Sequence, residues 1–161
     1  MTRLDYAQDL CNQLGHKMGM NDLAFDDQGR LSLTFDDLLV TFHYQEEPLE
    51  MIAIYADLGH PPVISADLAL LLFEANLQSW LHRTMTIGVE AGTDHVVGAA
   101  YLPLVSTDFT NLMLVVENML KIGNKIQAEL KRPEWMSASS SDTAQSQAAP
   151  GLDPSFHQFR V

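Results

Sequence analysis

Two spacings of apolar residues alternate along the first 130 positions, and each change of spacing marks an element. Leu4, Ala7, Cys11, Leu14 and Met18 recur every three or four residues, which predicts a helix over 3–19 that stops at Gly19. Residues 23–26 read as a short extended piece, followed by the turn Asp26-Asp27-Gln28-Gly29. The spacing then falls to two. Leu31, Leu33 and Phe35 point one way and Ser32 and Thr34 the other, so 30–35 is a strand with one wet face. Asp36-Asp37 turns the chain into a second strand, 38–44, which carries Leu38, Val40 and Phe42, and residues 45–48 turn it into a third, 49–57. Met51, Ile52, Ala53 and Ile54 leave that third strand no polar face, which predicts a central position covered on both sides. Short turns between the three strands predict an antiparallel meander.

After a loop with Gly59 and Pro61-Pro62, Ser65 is placed to cap a helix over 66–81. This helix is greasy around more than one face, with Leu68 to Phe73 in an unbroken apolar run, so it needs two partners. One is its own sheet and the other a second subunit. A hairpin over 85–90 and 95–102 follows, ended by Pro103. The last element is a long helix over 106–130, with Phe109, Leu112, Met113, Val116, Met119, Leu120, Ile126 and Leu130 near helical spacing. Composition changes near residue 132. Ser, Ala and Gln dominate 137–147, which predicts a disordered tail over 133–161 beside a domain over 1–132. The tail ends in Phe156 and Phe159, read as a frayed terminus, with a docking motif as the alternative.

At 161 residues and 47% hydrophobic, the chain has enough apolar surface for one well-formed core. Its 21 acidic against 9 basic residues give a net charge of −12. That balance opposes nucleic acid, whose phosphates need Lys and Arg, and anionic membranes. No apolar run reaches the roughly 18 residues of a membrane span, and no signal peptide opens the sequence, so the expected location is the cytoplasm. The single cysteine, Cys11, rules out an intrachain disulfide and lies on an apolar helix face, as a core thiol does. The six histidines, His16, His43, His60, His82, His95 and His157, form no HxH, HxxxH or HExxH, so no metal and no cofactor is expected. No nucleotide loop is present, and the acidic pairs Asp26-Asp27, Asp36-Asp37 and Glu46-Glu47 fall at turns rather than in a catalytic dyad. Nothing here predicts an enzyme.

The element order and certain short motifs resemble the class I type III secretion chaperones, the Tir chaperone family. Leu14-Gly15 with Met18-Gly19-Met20 resembles the family's first helix end. Leu23 to Asp26 followed by Gly29 to Leu33 resembles its first strand region, and Ile54 to Gly59 the strand that runs into a glycine loop. Leu71-Leu72-Phe73-Glu74-Ala75-Asn76-Leu77 is similar to its Leu-Leu-x-x-Asn helix, and Ile87-Gly88-Val89 fits the strand before its last hairpin. The resemblance covers residues 1 to about 130.

It implies an α+β homodimer without catalysis. It also implies a cytosolic role: binding the N-terminal segment of one or more type III effector proteins in extended, export-competent form, partly by strand addition. The same fold implies an alternative, a regulatory chaperone acting as an anti-antiactivator. A secretion-system ATPase and a regulatory protein are further partners of this kind. Cargo is expected on Leu23, Phe25, Leu31, Leu33, Phe35, Leu38, Val40 and Phe42. Alternation leaves open which of the strand sets faces a helix and which is free. The dimer is expected on Leu70, Leu72, Phe73, Leu77, Trp80 and Ile87, with Trp80 open to a second reading as core.

Overall fold

The computed structural model describes residues 2–81 and 84–132. The expected tail over 133–161, with Phe156 and Phe159, and His82 lie outside the described residues. The elements are α1 (Arg3–Lys17), β1 (Arg30–Phe35), β2 (Leu38–Gln45), β3 (Met51–Gly59), α2 (Ala66–Leu81), β4 (Thr86–Val89), β5 (Val96–Pro103) and α3 (Phe109–Leu130). The five strands form one antiparallel sheet in the order β1-β2-β3-β5-β4. The α+β class, the meander and the hairpin therefore stand as the spacing predicts.

Caps set the helix limits. The Thr2 hydroxyl accepts from the Asp5 amide at 3.0 Å, and the Asp5 carboxylate accepts from the Thr2 amide at 2.7 Å, a reciprocal pair that starts α1. At its other end the Met18 and Met20 amides close on the Gly15 carbonyl, and Gly19 takes a left-handed backbone, φ 73°. Ser65 caps α2 by accepting from the Leu68 amide at 3.2 Å. The last helix begins three residues later than its apolar pattern predicts, because Asp108 is its cap and accepts from the Asn111 amide at 2.8 Å.

Register decides what alternation leaves open. Leu31 lies opposite Phe42, Leu33 opposite Val40 and Phe35 opposite Leu38. Directly opposed residues share a face, so the two apolar sets are one surface, not two. Ile52, Ile54 and Ala56 on β3, Ala100 and Leu102 on β5, and Ile87 on β4 continue it. The helices cover this face: residues of α1, α2 and α3 pack with it in one core.

One expectation is corrected here. Strand β3 is central, but among the described residues no further layer covers its second face, where only the small Ala53 is fully buried. Met51, Tyr55 and Asp57 are half-buried there, flanked by Leu39 and Tyr101, both exposed. Residues 23–26, the expected extended piece, join no strand of the sheet. Gln8 of α1 holds this segment, its side-chain amide donating to the Leu23 carbonyl and its oxygen accepting from the Phe25 amide at 3.1 Å.

Candidate functional site: an open strand edge and an exposed helix stripe

Strand β1 is an edge, and its free side follows from the hydrogen-bond phase. The Tyr44 amide donates to the Gly29 carbonyl at 2.8 Å, and Phe35 pairs with Leu38 across a two-residue turn. Residues 29, 31, 33 and 35 therefore aim their main-chain groups at β2, and 30, 32 and 34 aim theirs outward. The groups of Arg30 are already taken. Its carbonyl accepts from the Asp26 amide at 2.8 Å, and its amide donates to the Asp26 carboxylate at 2.8 Å. These bonds hold the Asp26 carboxyl below its ordinary range, the Arg30 amide first. Among the described residues, what remains is the amide and carbonyl of Ser32 and of Thr34, the length of edge to which an extended chain can pair. The strand carries neither lysine nor proline, the residues that commonly blunt such an edge.

At the start of this edge lies a groove of about 570 Å³. Leu4 of α1, Phe25 and Tyr44 give it apolar lining beside the Gln8 carboxamide, and Asp5, Asp27 and Glu46 add acidic groups. Burial, then the nearby Glu46 and Glu50, push the Tyr44 phenol above its ordinary pKa.

The expected cargo residues divide by position. Phe25 is half-buried and lines the groove. Leu23 is half-buried against Gly15, where a Cβ would stand 2.7 Å from its Cδ1. Leu31 and Leu33 keep 8% exposure at the edge, and Phe35 is half-buried. Leu38, Val40 and Phe42 are fully buried, one strand further in. The expectation of a free apolar set on β1 and β2 is thus corrected, because both sets lie under the helices.

The second feature is α2. Leu68, Leu72 and Ser79 face inward. Leu70, Phe73, Leu77, Trp80 and Leu81, at 65%, 69%, 56%, 71% and 58% exposure, form a stripe on the outward side. From Leu70 to Trp80 it runs about 15 Å. Four of the six expected interface residues are in it. The other two are corrected: Leu72, four residues after Leu68, shares its inward face, and Ile87 alternates onto the covered face of the sheet. Trp80 is on the surface, not in the core. Sequence reasoning places Asn76 in the Leu-Leu-x-x-Asn stretch but gives its side chain no role. Its side-chain oxygen accepts from the Ile87 amide at 2.9 Å and so ties α2 to the outer edge of β4. Gln8 carried no signal in sequence, because its two partners lie 15 and 17 residues away.

No catalytic constellation accompanies these surfaces among the described residues. Burial pushes the Cys11 thiol up to about 12, which suits a core residue and not a nucleophile. The His60 ring stacks 5.0 Å from His95, whose Nδ1 is 3.2 Å from Asp57. No group of three metal-ligating side chains occurs among the described residues. No described helix is long and apolar enough to cross a membrane.

A comparison with curated protein sequences found no match. Solved structures do match. A crystal structure of the ExsC–ExsE complex superposes with a TM-score of 0.70 at 21% identity, covering 81% of this chain and 97% of the other. The HopA1–SchA chaperone–effector complex gives 0.66 at 16% identity, covering 78% and 95%. The Yersinia pestis type III secretion chaperone SycH, in complex with a stable fragment of YscM2, gives 0.58 at 16% identity, covering 73% and 97%. These likenesses concern the fold. The Tir chaperone protein (CesT) family model matches residues 9–125, from inside α1 to near the end of α3. With that span, most of the chain and every strand of its sheet, the protein belongs to the Tir chaperone family.

Proposed function

We propose that this chain is a cytoplasmic homodimeric chaperone, without enzymatic activity, that holds the N-terminal segment of a type III effector protein extended until export. The observation that carries the reading is the open stretch of β1, Ser32 and Thr34, beside the groove that holds Phe25. A segment added there gains main-chain hydrogen bonds regardless of its sequence and places alternate side chains toward the α1 groove, which selects among cargoes. A bound segment kept extended neither folds nor aggregates. Two relatives of the fold, HopA1–SchA and SycH with a YscM2 fragment, are chaperones seen with a protein partner.

The dimer rests on the α2 stripe. Large side chains in an unbroken outward row lose contact with water when a second copy lays the same row against it, and an isologous pair does so for both chains at once. The test is capture from the native cytosol, with the partner read by mass spectrometry, followed by replacement of Ser32 and Thr34 by proline. Capture of a protein exported by the type III system, lost in the proline variant while the dimer persists, supports the reading. Capture of a transcriptional antiactivator in its place assigns the chain to the regulatory branch.

A further inference from the structure

The facing sides of α2 and α3 leave a groove of about 720 Å³ away from both surfaces described above. Its floor is apolar: Leu71 and Ala75 on one wall, Ile122 and Ile126 on the other. Lys121 and Lys125, exposed and one helical turn apart, stand on the α3 rim. Neither forms an ion pair among the described residues, whereas Lys131 reaches Asp37 at 3.6 Å and Arg132 reaches Glu129 at 2.6 Å. The α2 wall holds one discordant atom, the buried Ser79 hydroxyl, which has no hydrogen-bond partner among the described residues. Glu129 and Arg132 also line the groove but are paired with each other, and Glu74 stands on the α2 side, so the two lysines are the cations there with no ion pair among the described residues, in a chain of net charge −12.

We propose that this groove is a second docking site, for an amphipathic α-helix of a partner protein that carries carboxylates one turn apart. Charge selects the acidic sign: two lysines at i and i+4, with Cβ atoms about 6 Å apart, match two carboxylates at the same spacing on a facing helix. Glu74 on the opposite rim fixes orientation, because it repels carboxylates placed on the α2 side. The form of the occupant follows from what the walls lack. Both are helices whose main-chain groups bond within themselves, so the groove offers side chains only. An extended segment would leave its own amides and carbonyls unpaired there, and a helix does not. This site is therefore the converse of the β1 edge, which offers main-chain groups and takes a strand.

The full chain, labelled with ¹⁵N, is titrated with two lactam-bridged helical peptides of Leu and Ala, one with Glu at i and i+4 and one with Lys in their place. Binding of the acidic peptide, with amide signals moving at Leu71, Ile122 and Lys125, is the expected result. The Lys121→Glu/Lys125→Glu chain binds it weaker by about fivefold or more and prefers the basic peptide. If that chain fails to fold, Lys121→Gln/Lys125→Gln is read against the same threshold for the acidic peptide. The proposal is overturned by equal binding of the two peptides, by a smaller loss, or by signals that move at β1 or on the α2 stripe instead. The Ser32 and Thr34 proline variant still binds the acidic peptide, so this site and the strand-edge reading fail separately.

Discussion

Gly15 shows how one missing carbon arranges the candidate cargo groove. A Cβ there would stand 2.7 and 2.9 Å from two carbons of Leu23, so the segment that carries Leu23 and Phe25 lies against α1 only because this position is glycine. Gly15→Ala gains helix propensity but forces Leu23 outward. A net loss of about 1–3 kcal/mol, measured by urea unfolding, is expected. Asn76→Ala leaves the Ile87 amide without its partner and costs about 1–3 kcal/mol by the same measurement. At the start of α1 the hydrogen bonds of Thr2, the backbone one first, hold the Asp5 carboxyl below its ordinary 3.8. A lowered carboxylate pKa stabilises the fold fully above the unfolded value, and the contribution fades as pH falls through the lowered one. The melting temperature of Asp5→Asn should therefore fall below the parent's at neutral pH and converge with it in strong acid. A gap that persists in strong acid would contradict this account.

Apolar patterning places all eight elements: by the period of one buried face in α1, β1 and α3, and by an unbroken apolar run bounded by turn and cap residues in β3 and α2. What spacing does not contain is phase between elements. Leu31, Leu33 and Phe35 read the same whether they share a face with Leu38, Val40 and Phe42 or oppose them; only the two-residue turn at Asp36-Asp37 sets the register that joins them. Likewise the unbroken apolar run of α2 tells that two faces are greasy, yet not that Leu72 turns inward while Leu70 and Phe73 turn outward. The site was legible where a residue's surroundings are local, as for Phe25 and the α2 stripe. It was hidden where a long-range partner decides, as for Gln8 and Asn76. For the stripe, Phe73→Glu or Leu77→Glu places a charge inside the proposed dimer and should convert it to a folded monomer in sedimentation. Circular dichroism should be unchanged, since both side chains are exposed within the single chain. A dimer that survives both changes would place the contact elsewhere.

At the scale of the molecule, the labour is proposed to divide among three surfaces: a strand edge for an extended cargo, a helix stripe for a second copy, and the α2–α3 groove for a partner helix. The residues after Arg132 are proposed to add nothing to folding, since their Ser, Ala and Gln content does not offset the entropy of ordering. Truncation after Arg132 is expected to leave the melting temperature nearly unchanged, and a fall of many degrees would show that Phe156 and Phe159 dock on the domain. The most direct test of the central claim is amide hydrogen exchange of the full chain, alone and with its captured partner bound. Ser32 and Thr34 amides should exchange fast in the free protein and become strongly protected in the complex, with matching protection in an N-terminal segment of the partner. Unchanged exchange at both amides, with protection elsewhere, would contradict strand addition at β1.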